Sequence, residues 1–424
     1  MVTGMKEMKD SGASWVGSIP SHWDVGRIDS FYTLRNVKVS DEDYPPLSVT
    51  KEGILPQLET AAKTNAHDDR KLVRKGDFAI NSRSDRRGSC GISPCDGSVS
   101  LINTILAPKG AMNPEYYDWL FHTVQFADEF YKCGHGIVDD LWTTNYQDMK
   151  KINIPVPPID EQQSIASYLN KQCAEIDALS ADIQSEIDTL EAYKRSVITE
   201  AVTKGLDKNA PMKDSGIEWV GKIPATWKML RGKYIFEQKS DRGNTKSLIL
   251  LSPTQNYGVI PQELYEELSG FSAVKLNEKI NLNSLKTVHK GAFVISLRSF
   301  QGGFEYSEYE GVVSPAYQVF YPTISVYDGY YKYLFKTQIF IDKMNSYTMS
   351  LRDGKNIAFA DFGRTYIPVP PVSEQRAIAE YLDSMCADLN EIVAQKQKQL
   401  DVLADYKKSI IYEYVTGKKE VPVA

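Results

Sequence analysis

No stretch of the 424 residues approaches the ~18 to 20 consecutive apolar residues of a membrane span, and the opening MVTGMKEMKDSG lacks the apolar run of a secretory leader. No membrane association and a cytoplasmic location are expected. Cysteine is sparse: five residues, at 90, 95, 133, 173 and 386, are odd in number and scattered, which excludes a disulfide framework and reads as reduced thiols. Cys90, Cys95, Cys133 and His135 have poor zinc spacing, and His22, His67, His122 and His289 sit near no nucleophile pattern. No GxxxxGK(S/T) loop offers a seat for ATP-driven work. The Asn-Pro-Pro-aromatic tetrapeptide with which amino-methyltransferases hold a flipped base is also missing, and Tyr44-Pro45-Pro46-Leu47 does not replace it. Net positive charge is lacking too, since 49 Lys and Arg against 55 Asp and Glu leave −6, so any affinity for a polyanion must be local. Acid pairs such as Asp68-Asp69 and Asp139-Asp140 read as solvated loop residues. No catalytic constellation emerges, and no metal or cofactor is expected in this chain.

What is present is a repeat. MKDSGASWVGSIPSHW, from Met8, returns 204 residues later as MKDSGIEWVGKIPATW, and IPVPPIDEQQSIASYLN, from Ile154, returns 213 residues later as IPVPPVSEQRAIAEYLD. Between these anchors only fragments match: KGDFAINSRS from Lys75 with KGAFVISLRS from Lys290, and Tyr116-Tyr117 with Tyr330-Tyr331. Kept ends around divergent middles suggest one scaffold presenting two surfaces of different specificity; duplication followed by drift is the plainer alternative.

After each IPVPP the prolines forbid helix and a start signal follows. Asp160 and Ser373 are candidate N-caps, Glu161 and Glu374 suit the positive end of the helix dipole, and Asp160 with Gln163 makes a capping-box pattern. Three- and four-residue steps then run through Ile165, Leu169, Ile176, Leu179, Ile183, Ile187, Leu190, Val197 and Ala201. In the second copy they run through Ile378, Leu382, Met385, Leu389, Ile392, Leu400, Leu403, Ile410 and Tyr414. Gly205 and Gly417 are the stops, so the first helix is expected over about Asp160 to Lys204, a rod of roughly 65 to 70 Å. One narrow apolar stripe needs a partner, and the second helix in antiparallel pairing is the economical one; packing of each helix on its own domain is the alternative.

The middles, Trp23 to Asn153 and Trp227 to Tyr366, mix β-rich runs such as FAINS and FVISL with the aromatic stretch PEYYDWLFHTVQF, which predicts α+β domains. Their charge is local. Lys63 to Arg87 holds eight Lys or Arg against four Asp, and Lys275 to Gly302 holds five against Glu278 alone. In each, a Lys-Gly turn leads into a strand ending at an Arg: Arg83, Ser84, Asp85, Arg86, Arg87, Gly88, and Arg298, Ser299, Phe300, Gln301, Gly302. Arg reads guanine bidentately, Gln reads adenine, and Lys and Ser hold phosphates, so these loops have the chemistry of DNA readout, with a merely solvated loop as the alternative. A second candidate loop comprises Gly134, His135 and Gly136 with Trp142 to Asn145, and, in the other half, Ser350, Arg352, Lys355 and Asn356.

The doubled SGxxWVGxIPxxW segment, the two IPVPPxxEQ blocks opening heptad helices, and the KGDFAI and KGAFVI strands together resemble the specificity subunits of type I restriction-modification systems, over essentially the whole chain. The resemblance implies an α+β protein with two target recognition domains. They are separated by two long conserved helices that form an antiparallel coiled coil, with an internal pseudo-twofold repeat. The implied division is 1–153, first recognition domain; 154–209, first spacer helix and linker; 210–366, second recognition domain; 367–424, second spacer helix and tail. It further implies a non-catalytic subunit in which each domain reads half of a bipartite asymmetric site in double-stranded DNA while the helices set the spacing. Two modification subunits would dock on the helices and methylate adenine with S-adenosylmethionine, and restriction subunits using ATP and Mg would cut. By loop position and chemistry, the residues expected at DNA are Lys75, Arg83, Ser84, Arg86, Arg87, Lys290, Arg298, Ser299, Gln301, Arg352 and Lys355. A circular arrangement, with the N-terminal segment following the last helix in space, predicts equivalent places for Trp15 and Trp219. The rivals are a coiled-coil scaffold that binds only protein and a nucleic-acid enzyme with an unrecognised site.

Overall fold

The computed structural model describes residues 7–57, 68–137, 142–242, 249–271, 284–296, 303–347 and 357–422. The chain forms two compact units, Met1–Gln184 with Gln397–Ala424, and Ser185–Lys396. In the first, a four-stranded antiparallel sheet has the order Cys90–Ile92, Phe78–Asn81, Asn103–Pro108, Tyr32–Leu34. In the second, the order Phe304–Tyr306, Phe293–Ile295, Gln318–Pro322, Phe236–Lys239 repeats that topology. Each sheet is accompanied by a second small sheet and a hairpin, Leu47–Thr50 with Gly53–Pro56 in one unit and Leu251–Thr254 with Gly258–Pro261 in the other.

The aromatic stretch becomes two short helices on the sheet. Asn113 caps Pro114–Phe121 by accepting the Tyr116 N–H at 3.0 Å, and Thr123 caps Val124–Lys132 by accepting the Phe126 N–H at 3.2 Å. Tyr116, Tyr117, Phe121 and Phe126 are fully buried, as are Tyr330, Tyr331 and Phe335 in the second unit. The repeated Tyr-Tyr pair has a defined task. Tyr116 Oη donates to the Val415 carbonyl at 2.7 Å and Tyr330 Oη to the Val202 carbonyl at 2.6 Å, satisfying carbonyls that the last turn of each long helix leaves without partners.

The long helices span Ile159–Lys204 and Val372–Val415. Gly205 and Gly417, at φ of 76° and 69°, take the left-handed place after each. Their starts differ from expectation: Asp160 and Ser373 lie inside the first turn, because the carbonyls of Pro158 and Pro371 already accept from Gln162 and Gln375 at 2.9 Å. The capping box is not formed either, since Gln163 accepts from Asn113 Nδ2 at 2.6 Å and donates to Ser167 Oγ. A proline in the cap position has no side-chain acceptor, and the buried glutamines of the EQ pair take over. Gln162 Nε2 donates to the Pro157 carbonyl at 2.8 Å while its Oε1 accepts the Asn113 N–H at 2.9 Å. Gln375 does the same with Pro370 and the Tyr327 N–H, both at 2.7 Å. Glu161 accepts from Trp23 Nε1 at 3.0 Å and pairs with His22 at 2.6 Å. Thus the EQ glutamine of each IPVPP block ties a recognition domain to a helix start.

Helix pairing is antiparallel within each unit. In the first, Tyr168 meets Tyr414, hydroxyls 3.2 Å apart, and Asp177 meets Lys407 at 2.6 Å; in the second, Glu186 meets Lys396 and Lys194 meets Asn390 at 2.8 Å. The seam buries Ile165, Leu169, Ile176, Ile183, Ile187, Ile378, Leu382, Leu389 and Ile410, with Leu190, Leu400 and Leu403 half-buried. Leu179 and Ile392 are the corrections, 49% and 41% exposed. A step of three falls about 60° short of a full turn and a step of four overshoots by about 40°, so only strict alternation stays on one line. The real seam alternates through Cys173, Ile176, Ser180, Ile183 and through Cys386, Leu389, Val393, Lys396, where Leu179 and Ile392 each require two threes in succession.

Trp15 and Trp219 occupy equivalent places, edge-on to Phe126 at 5.6 Å and to Phe340 at 5.9 Å. Tyr412 Oη donates to the Trp15 and Val16 carbonyls at 3.0 Å, so the N-terminal segment seats on the end of the last helix, while in the other unit Trp219, Val197 and Ile198 all pack against one apolar core. One difference between the units is Glu305, 1% exposed and held by Lys336 at 2.6 and 2.7 Å; burial raises its pKa to about 6 in spite of that cation.

Candidate nucleic-acid interface

Strand Phe78–Asn81 is buried along its length and delivers Arg83 to the surface at its far end. The Asn81 carboxamide accepts the Arg83 N–H at 3.0 Å, and the turn Ser84–Arg86 follows. The two loops singled out in the first half come together here. Arg83 bridges Thr143, the Thr144 N–H donates to the Ser82 carbonyl at 2.9 Å, and Thr143 in turn exchanges both backbone bonds with His135. Around this lacing sits an aromatic support. The Arg87 guanidinium lies 4.9 Å above the Tyr131 ring and pairs with Asp128, Tyr131 stacks on Trp142 at 5.5 Å, and Trp142 Nε1 donates to the Tyr131 carbonyl at 2.9 Å.

The three arginines therefore differ. Arg87 is held against helix Val124–Lys132, Arg86 lies 3.7 Å from Asp85, and exposed Arg83 has no carboxylate within ion-pair reach among the described residues. Its backbone is fixed at both edges while its guanidinium is available. Lys75 is exposed at the opposite end of the strand, its N–H on Asp96 at 2.8 Å; four residues at ~3.3 Å rise put over 10 Å between it and Arg83. Lys290 precedes strand Phe293–Ile295 in the same way. Arg298, Ser299, Gln301, Arg352 and Lys355 lie outside the described residues, and of Ser84 only the backbone is described.

Part of the basic surplus is structural. Arg70, 6% exposed, donates to Ser98 Oγ and to the Ser98 carbonyl, both at 2.9 Å, and burial lowers its pKa. Lys71 donates to the Asn103 carbonyl at 2.7 Å and Lys286 to the Tyr317 carbonyl at 2.6 Å, each with its pKa lowered by burial. Charge counting could not separate these from surface cations. Sequence reasoning also missed Asp128 and Tyr131, which lie 41 and 44 residues from Arg87, and Asn81, two residues from Arg83, none of which carries a local motif. Among the described residues no cluster of His, Cys, Asp and Glu is arranged to hold a metal, and no helix is long and apolar enough to cross a membrane.

Residues 20–189 and 224–402 match the family described as the type I restriction modification DNA specificity domain. The chain belongs to the type I restriction-modification specificity subunits. Its relatives include the type I restriction enzyme MjaVIII specificity subunit of Methanocaldococcus jannaschii, 24% identical across 95% of this chain and 94% of that one. Among solved structures, a chain from a study of complex assembly and conformational transition of the type I system superposes with a TM-score of 0.69 at 12% identity, covering 95% and 99% of the two chains. The HsdS subunit of Thermoanaerobacter tengcongensis superposes with a TM-score of 0.51 at 14% identity, covering 95% and 98%. As a specificity subunit the chain is a non-catalytic component that recognises DNA sequence within a complex of restriction-modification subunits.

Proposed function

We propose that residues 1–153 and 210–366 each read one half of a bipartite asymmetric site in double-stranded DNA, and that segments 154–209 and 367–424 set the distance between the halves. Two modification subunits dock on the helices and methylate adenine with S-adenosylmethionine, and restriction subunits use ATP and Mg to cut unmodified DNA. The observation that supports this reading most is the lacing of Arg83 to Thr143. It brings the basic loop and the Trp142 loop into one face, with Arg83 aimed outward and Arg87 retained as a support. A buried strand ending in a rigid arginine loop suits base readout, which demands fixed side-chain origins. Arg298, Ser299, Gln301, Arg352 and Lys355 are the expected counterparts in the second half, while Lys75 and Lys290 suit phosphate contacts away from the reading loop.

The test is methylation mapping by long-read sequencing in cells carrying this chain and its adjacent modification subunit. A bipartite adenine-methylated motif should appear with the chain and vanish without it. Arg83→Ala should relax the preference at one half-site, by ~1–3 kcal/mol of discrimination, and leave the other half unchanged. Equal loss at both halves would refute modular reading. Motif loss with neither protein's expression altered would be absent if the chain were a scaffold, and turnover by the purified chain alone would indicate an enzyme.

A further inference from the structure

The two apolar residues displaced from the seam point to a surface. Leu179 stands one residue before seam position Ser180, and 213 residues later Ile392 stands one before Val393. Tyr193 precedes seam residue Lys194 and Tyr406 precedes Lys407, again 213 apart. All four occupy the same heptad position, on the flank of the helix pair where antiparallel partners bring like positions side by side, and a coiled coil ordinarily places charged residues there. Here they are Leu, Ile and Tyr, exposed by 49%, 41%, 56% and 51% for Leu179, Ile392, Tyr193 and Tyr406. The pairing of Asp177 with Lys407 sets Leu179 level with Tyr406 in the first unit; the pairing of Lys194 with Asn390 sets Tyr193 level with Ile392 in the second. Each unit therefore bears one aliphatic and one tyrosine side chain on the same flank, contributed one by each helix.

The charge on this flank is predominantly acidic. Its positions and the neighbouring positions away from the seam, from Ile165 to Thr203 and from Ile378 to Thr416, include acids such as Glu175, Asp182, Glu200 and Asp388 and no Lys or Arg, while Lys396 reaches it from the seam and is spent on Glu186. An acidic rim repels a phosphate backbone, so this is not a DNA surface. Exposed apolar residues rimmed by polar ones mark a protein contact, and the 213-residue recurrence means that the same partner is met twice. The opposite flank differs: Asn170 and Asp383 there accept from Trp119 Nε1 at 2.8 Å and Tyr333 Oη at 2.6 Å and are engaged with the recognition domains.

We infer that these two flanks, centred on Leu179 with Tyr406 and on Tyr193 with Ile392, are the docking sites for the two modification subunits, each presenting an apolar helical surface edged with Lys or Arg. The inference rests on the docking reading above and adds the face and the chemistry of the partner. The experiment uses the full chain with its adjacent modification subunit, read by native mass spectrometry and by titration calorimetry. Leu179→Glu with Tyr406→Glu should leave one modification subunit bound, as should Tyr193→Glu with Ile392→Glu, and all four changes should leave none. The lost site should weaken about 10-fold or more. Tyr193→Phe should retain both subunits, and Glu175→Lys with Asp182→Lys should weaken the first site most at low salt. Circular dichroism of each variant checks folding, which exposed positions tolerate. Two subunits still bound to the fourfold variant would overturn the assignment of the face while leaving docking intact. No binding to the unaltered chain would overturn docking itself, and self-association abolished by the same variants would assign the flanks to a second copy of this chain.

Discussion

Replacing Gln162 by Met tests the tie between a recognition domain and its helix. The volumes are similar, so no cavity is created, but two buried groups lose their partner: the Pro157 carbonyl, bonded at 2.8 Å, and the Asn113 N–H, bonded at 2.9 Å. Each orphaned buried group costs ~1–3 kcal/mol, and the greater apolarity of Met returns about 1, which leaves about 1 to 5 kcal/mol. Asn113 also caps the helix that carries Tyr116, so the loss falls on the same domain that clamps the end of the second long helix. Equilibrium urea denaturation gives the total, and amide hydrogen exchange gives the location: at 1.36 kcal/mol per tenfold, the Asn113 N–H should exchange roughly 5- to 5000-fold faster. Exposed Gln397→Met, in the same unit, should change stability by under about 0.5 kcal/mol. A Gln162→Met loss as small as that control, or unchanged Asn113 exchange, would refute the argument that the EQ glutamine carries this junction.

Glu305 should make the second unit pH-dependent. Its folded pKa, raised by burial to about 6 from 4.5, favours the protonated form, so its stabilising contribution is complete below pH 4.5 and is lost as pH rises through about 6, a change of about 2 kcal/mol. Glu305→Gln should flatten that slope in denaturation midpoints; a wild type that gains stability over the variant as pH rises would contradict it. Gly417→Ala should cost about 3 kcal/mol, because a Cβ there would sit 2.9 Å from Trp23 Cη2 and against Pro20 at a φ of 69°. Gly12→Ala, at the same φ with open space around it, should cost only about 1 kcal/mol, and equal melting shifts for the two would remove the role of the close contact.

The architecture was legible because its signals are local and were written twice. Proline runs followed by heptads and ended by Gly205 and Gly417 describe two long helices whatever surrounds them, and recurrence at a 204- and 213-residue offset makes the units equivalent. The missing phosphate loop and missing tetrapeptide likewise needed no coordinates. Heptad phase was less secure, since Leu179 and Ile392 are as apolar as true seam residues and only the packed partner distinguishes a position 60° away.

Sequence alone therefore determined the repeat, the helices, the family resemblance and the location of the basic loops, all of which depend on neighbours within a few residues or on direct comparison of segments. Tertiary structure decided which charges are spent inside, as with Arg70, Lys71 and Lys286, and which arginine is held, as Arg87 is by Tyr131 and Asp128. It also decided what the repeated Gln162, Gln375, Tyr116 and Tyr330 are for, since their partners lie five to about three hundred residues away and a hydrogen bond exists only where folding places donor and acceptor within about 3 Å.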